Sequence, residues 1–205
     1  MQSNIKQRFI KKDDLNYLNQ GDILRDAVCP IVSFQVGEKL DAEVYIKPLK
    51  YAVIINQDCD LEQDCKNRER IKSPQHDSGG DVVVRKPINK DKFLPNILLL
   101  PGYLVTEFKD GKHNGSDWPA EKWDSDQWKE IKRNHNIRFY YIEENTEFQI
   151  PQLVIDFKHV YSMKIESLSQ FYRKWYLASM NELFREDLSI RFCNYLGRIG
   201  LPEIV

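Results

Sequence analysis

The chain has 205 residues, 41% of them hydrophobic, 12% aromatic and 30% charged. Thirty Lys plus Arg against 31 Asp plus Glu leave a net charge of −1, which excludes a global basic field for nucleic acid; such binding needs a local patch. The length suits one substantial core, so residues 1–205 are read as a single domain.

No apolar run approaches the ~18 residues of a membrane span. The first residues, M-Q-S-N-I-K-Q-R, lack the apolar core of a signal peptide. The four cysteines, Cys29, Cys59, Cys65 and Cys193, follow no secreted framework. A cytoplasmic protein with free thiols, away from the membrane, is the expectation.

Residues 1–20 are polar, with Phe9, Ile10, Leu15 and Leu18 as anchors. Gly21-Asp22-Ile23-Leu24 reads as a turn entering a strand, and 26–30 as irregular. Residues 31–36 and 43–46 read as paired strands around a turn at Gly37-Glu38-Lys39. Pro48 precedes a central strand, Ala52 to Ile55, where an apolar, β-branched run is expected to be buried. Residues 62–80 are charged and end in turn formers, a loop or short helix followed by an exposed loop.

Val82-Val83-Val84 is a short strand candidate, and 87–92 a connection. The apolar segment 96–105 is expected to break into two at Pro101-Gly102. Residues 106–136 form a polar insertion. Its Trp118, Trp123 and Trp128 recur every five residues, a period that fits no single amphipathic element. Strands are expected at 138–142 and 153–157, with Asp156 interrupting the second.

Residues 161–205 form a helical region. Ser179-Met180-Asn181-Glu182 fits a capping box. Phe184, Leu188, Phe192, Tyr195 and Leu196 then follow helical spacing up to Gly197, a C-cap, with Pro202 beyond. The fold class is therefore α+β: a β body over 21–105 and 137–160, an SH3-like barrel or strongly curved antiparallel sheet, closed by a C-terminal helix.

The chemistry concentrates where the central strand ends. Asn56, Gln57, Asp58, Cys59 and Asp60 set polar and reactive groups at the border of strand and loop. Cys59 could act as a nucleophile with a histidine brought near by folding, but Asp58 and Asp60 flank it with anions rather than the cations that activate a thiol. Asp58, Asp60, Glu62, Asp64 and Glu69 match an EF-hand count, yet Gln63 stands where that loop needs glycine.

A looser oxygen-ligand site at Asp58 and Asp60 suits magnesium, calcium or manganese; the sequence leaves the metal and any cofactor unnamed. Asp156, and less so Asp22, could join this turn as an acid or base, or could simply bind backbone amides. Asn56, Gln57 and Arg198 are the binding candidates. The aromatic-basic run 171–176 could stack single-stranded bases or pack on the sheet.

Two resemblances follow from these residues. Gly21-Asp22-Ile23 followed by Lys50-Tyr51-Ala52-Val53-Ile54-Ile55-Asn56 resembles the start of MazF/PemK-type toxin barrels, with G-D-[IL] and then R-P-x-[LV]-[LIV]-[LIV]-[ST]. Lys50, Tyr51 and Asn56 replace the Arg, the Pro and the hydroxyl residue. The resemblance covers about the first quarter and implies an SH3-like fold, with no catalytic role carried over.

Gln57-Asp58-Cys59-Asp60, the strand I-D-F-K at 155–158 and R-F-C-N-Y-L-G-R-I-G-L-P at 191–202 are similar to uncharacterised bacterial proteins with a Q-x-C-D-[LI] turn and an R-[IV]-G-L-P ending. The second resemblance carries no assigned activity; the resemblance to toxin-type barrels points to prokaryotic conflict systems, phage defence or toxin–antitoxin included. Two functions stand side by side. One is an accessory or sensor module binding a partner protein or nucleic acid. The other is a hydrolase or nuclease using Asp58, Cys59, Asp60 and Asp156.

Overall fold

A computed structural model of the chain describes residues 7–36, 40–72, 90–114 and 123–198. The turn at 37–39, the strand candidate 82–84, Trp118 and the R-I-G-L-P ending beyond Arg198 lie outside them.

The strands are β1 (Phe9–Ile10), β2 (Asp22–Val36), β3 (Leu40–Ile54), β4 (Asn96–Leu104), β5 (Phe139–Ile142), β6 (Leu153–Asp156), β7 (Tyr161–Lys164) and β8 (Tyr176–Met180). The helices are α1 (Asp58–Lys72), α2 (Val105–Lys109), α3 (Ser125–Lys132), α4 (Ile165–Trp175) and α5 (Glu182–Leu196). The strands pair in the order β1-β8-β2-β3-β4-β6-β5, with β7 alongside β4. Every pairing is antiparallel, and the sheet curls into a half-barrel.

The expected buried strand sits near the middle of this sheet. Tyr51 and Val53 face one core with Leu100, Ile142, Ile155 and Phe192. Ala52 and Ile54 face the other, with Leu99, Met163 and Leu168. Burial on both faces is why the run is apolar without alternation.

Four expectations need correction. First, Pro101-Gly102 does not break β4. The strand pairs with β7 over Asn96–Leu99 and with β6 over Gly102–Leu104. Pro101, which has no N–H to give, falls in the gap between these partners. A side chain at Gly102 would press on Tyr51 Cβ at 3.2 Å.

Second, 26–30 and Pro48 lie inside continuous strands. Register runs from Ile23↔Val53 to Val36↔Leu40 with Val28↔Pro48 within it. The irregularity is confined to Asp26, whose φ of 56° is a left-handed conformation that Asp tolerates. There the ribbon turns over. Leu24 and Ala27, of opposite parity, reach the same core.

Third, of the loop or short helix expected from residue 62 the helix forms, but it starts earlier, at Asp58 inside the expected turn, and runs to Lys72, so the acidic residues of the EF-hand count spread around a helix. Fourth, α5 starts at Glu182 with Asn181 as its N-cap, accepting a bond from the Glu182 N–H at 2.7 Å. Ser179 belongs to β8, because pairing to Ile10 and Asp22 extends the strand past the capping-box position. As expected, the helix docks on the sheet through Leu188 and Phe192, with Phe184 partly buried.

Candidate functional site

The junction of β3 and α1 is built from backbone outward. Ile55 N–H still donates to Leu98 at 3.2 Å. Asn56 then replaces a strand residue, its Oδ1 accepting from Leu98 N–H at 2.6 Å. The Gln57 carbonyl accepts from the N–H groups of Asp60 and Leu61 and so opens the helix. Asp58 Oδ1 accepts from Gln20 N–H at 2.7 Å, and Oδ2 pairs with Arg185 of α5 at 2.5 Å.

Gln20 adds bonds from Nε2 to the Ile55 carbonyl and Ser189 Oγ. Gly21 is required beside them. Its φ is +80°, and a Cβ would lie 2.8 Å from Arg185 Cβ. Asn56 and Asp58 therefore tie four segments together.

Cys59 and Asp60 face outward. The Cys59 sulfur lies 3.7 Å from Gln57 Oε1 and from Asp60 Oδ1. Asp60 lines a shallow cleft with Gln63, Asp91, Lys92, Phe93 and Leu94. Asp64, one turn on, is buried and holds Arg68 and the Leu94 N–H. Among the described residues no group of three His, Cys, Asp or Glu is placed to hold a metal ion.

Asp156 is not part of this junction. It ends β6, and β4 lies between β6 and β3. Arg138 grips it in a two-point contact, 2.8 Å from Nε and 2.6 Å from Nη2, and Lys158 N–H adds a third bond. His159 Nε2 stands 4.0 Å away, too far for a hydrogen bond. Its Nδ1 meets the Tyr103 hydroxyl at 2.8 Å. Burial pushes the His159 imidazole below 6.5, with Asp156 opposing, and raises the Tyr103 phenol.

Asp22 is a further buried carboxylate, in a network the sequence did not reveal. It accepts from Ser179 Oγ at 2.5 Å, Tyr172 at 2.6 Å, Asn19 N–H at 2.7 Å and Lys12 Nζ at 3.0 Å. Desolvation raises its pKa, and Lys12 leads the opposing effects. Arg198 lies on the surface, stacked over Tyr195. The aromatic-basic run is divided. Tyr172 and Trp175 are buried in the core, Phe171 stacks on Trp175, and Arg173 bonds Asn16. Trp123 and Trp128 pack around Phe108.

The far part of the β2–β3 ribbon pairs as expected, 31–36 with 40–45; what sequence reasoning missed is its exposed apolar face. Past Leu24 and before Tyr51, these strands pair only with each other among the described residues. Cross-strand partners share a face. One face is thus Val28/Pro48, Pro30/Ile46, Val32/Val44 and Phe34/Ala42. All eight are apolar and all are exposed, with Val44 67% and Phe34 60% open to solvent.

The opposite face starts with Cys29, buried, its thiol 3.4 Å from the Ser162 carbonyl, across from Lys47, and continues with Ile31/Tyr45 and Ser33/Glu43, a mixture of apolar and polar side chains. The signal was alternation at 28, 30, 32 and 34. What hid it was the expected irregular stretch at 26–30.

No helix among the described residues is long and apolar enough to cross a membrane. Comparison with protein-family models, curated proteins and solved structures finds no match to this chain.

Proposed function

We propose that this chain is an accessory or sensor module of a prokaryotic conflict system, of phage-defence or toxin type, that works by binding a partner protein through the β2–β3 arm. The observation that carries the reading is the arm's uncharged apolar face, exposed along four successive cross-strand pairs. Exposed apolar patches of this kind mark interaction sites. The face offers no Lys or Arg for phosphates, which favours protein over nucleic acid. The setting in a conflict system rests on the resemblance of 21–23 and 50–56 to toxin-type barrels.

A second reading has one observation in its favour. Asp60 and Cys59 are exposed on the first turn of α1, beside the shallow cleft. A hydrolase or nuclease acting at Asn56–Asp60 would use them there, without Asp156, which β4 separates from the junction.

Expression in a bacterial host, read as growth and as plaque formation under phage challenge, distinguishes the two. The interaction reading expects Asp60→Asn with Cys59→Ser to keep the wild-type phenotype and Val44→Lys with Phe34→Lys to lose it. The reverse pattern, at unchanged protein level, establishes the enzyme reading.

A further inference from the structure

We infer that the occupant of the arm is a second copy of this chain, the two ribbons packing face to face about a twofold axis. The inference rests on the reading of the arm as a contact surface and names what covers it. The exposures of the eight residues sum to roughly 500–600 Å² of apolar surface, the upper range for one patch on a monomer. Two such faces remove about 1,000–1,200 Å² from water when they meet, enough for a specific interface.

A two-stranded ribbon with nothing against its apolar face is marginal in water. A second ribbon supplies the missing layer at the usual sheet-to-sheet spacing of ~10 Å.

The composition of the face selects a copy of itself. Val28, Pro30, Val32, Phe34, Ala42, Val44, Ile46 and Pro48 carry no charge and no side-chain polar atom. Burying the face against its own copy strands no ion and no unpaired donor. A twofold contact uses one patch twice and closes on itself, so it stops at a dimer.

The alternative mode, strand addition at the ribbon edges, is blocked by the same sequence. Pro30 and Pro48 sit inside the ladder, where a proline fits only if its position has no inward N–H to give. The N–H each lacks is an outward one, and proline blunts a sheet edge. The face remains as the contact.

Sedimentation equilibrium of the full chain, with hydrogen exchange across the dilution series, tests this. The wild type is expected at twice its 24.3 kDa mass at tens of micromolar. On dilution it should dissociate, with amide protection lost at 28–34 and 42–48. Val28→Lys with Val44→Lys, which are not cross-strand partners in one ribbon, puts like charges on both packed faces and should weaken association at least ~100-fold. Its melting temperature should stay within about two degrees, because both positions are exposed in the monomer.

A wild-type dimer that the double lysine variant leaves intact overturns the inference. So does a wild-type monomer at ~100 μM. In the monomer case, the host assay separates the two claims. Arm variants that still abolish the phenotype leave the arm as a surface for another protein, and variants without effect remove that reading as well.

Discussion

Two aspartates of the junction, one residue apart, have opposite fates. Asp58 binds Gln20 N–H and Arg185, whereas Asp60 faces the shallow cleft. Asp58→Asn is expected to cost about 1–2 kcal/mol, the range for hydrogen bonds to charged groups at a partly exposed site. Asp60→Asn is expected to change stability by less than ~0.5 kcal/mol. Urea unfolding of both variants checks the contrast.

His159 sets a pH dependence. Its folded pKa lies below 6.5 because burial opposes the charged form. The unfolded chain therefore binds the proton more readily, and acid favours unfolding. The contribution is complete above the unfolded value and is lost as pH falls through the folded one. Denaturation midpoints should decline from pH 7 toward pH 5.5, and His159→Gln should reduce the slope in that window. An imidazole titrating at or above 6.5 by NMR would reverse the sign.

At the scale of elements, α5 was readable because its stripe repeats at helical spacing, and because Leu188 and Phe192 join the core containing Val53 and Ile155. Its start was misplaced because Ser179 has two possible uses. It can cap a helix, or it can donate to a buried carboxylate, and Asp22 takes it at 2.5 Å. Phe192 packs against Phe157 at 5.6 Å between ring centroids. Phe192→Ala is expected to cost ~3–5 kcal/mol, measured by denaturant unfolding. A loss well below about 1 kcal/mol would mean that this face of the helix is not core.

For the whole molecule, the arm and the body are separable in energy. The two main cores draw on β2 and β3 only as far out as Cys29 and Leu49. Replacing residues 32–44 by Asn-Gly places a two-residue turn between Ile31 and Tyr45, partners in register, and suits a tight hairpin. This shortened chain should melt within a few degrees of wild type and stay monomeric at every concentration tested by sedimentation. A collapse of the melting temperature would show that the arm supports the fold rather than an assembly.

Much of this was legible from local pattern. The run at 52–55 determined a buried strand, the spacing from Phe184 to Phe192 determined the docking helix, and the mixture of both determined an antiparallel α+β fold. Those signals come from neighbours in sequence, through side-chain period and apolar content.

Tertiary structure decided the rest. Asp156 and Asp58 look alike along the chain, but one ends up under Arg138 and the other under Arg185. The ladder, not the local sequence, set Val28, Pro30, Val32 and Phe34 beside Pro48, Ile46, Val44 and Ala42. Whether an apolar face is core or contact surface depends on what packs over it, and that is a property of the folded molecule.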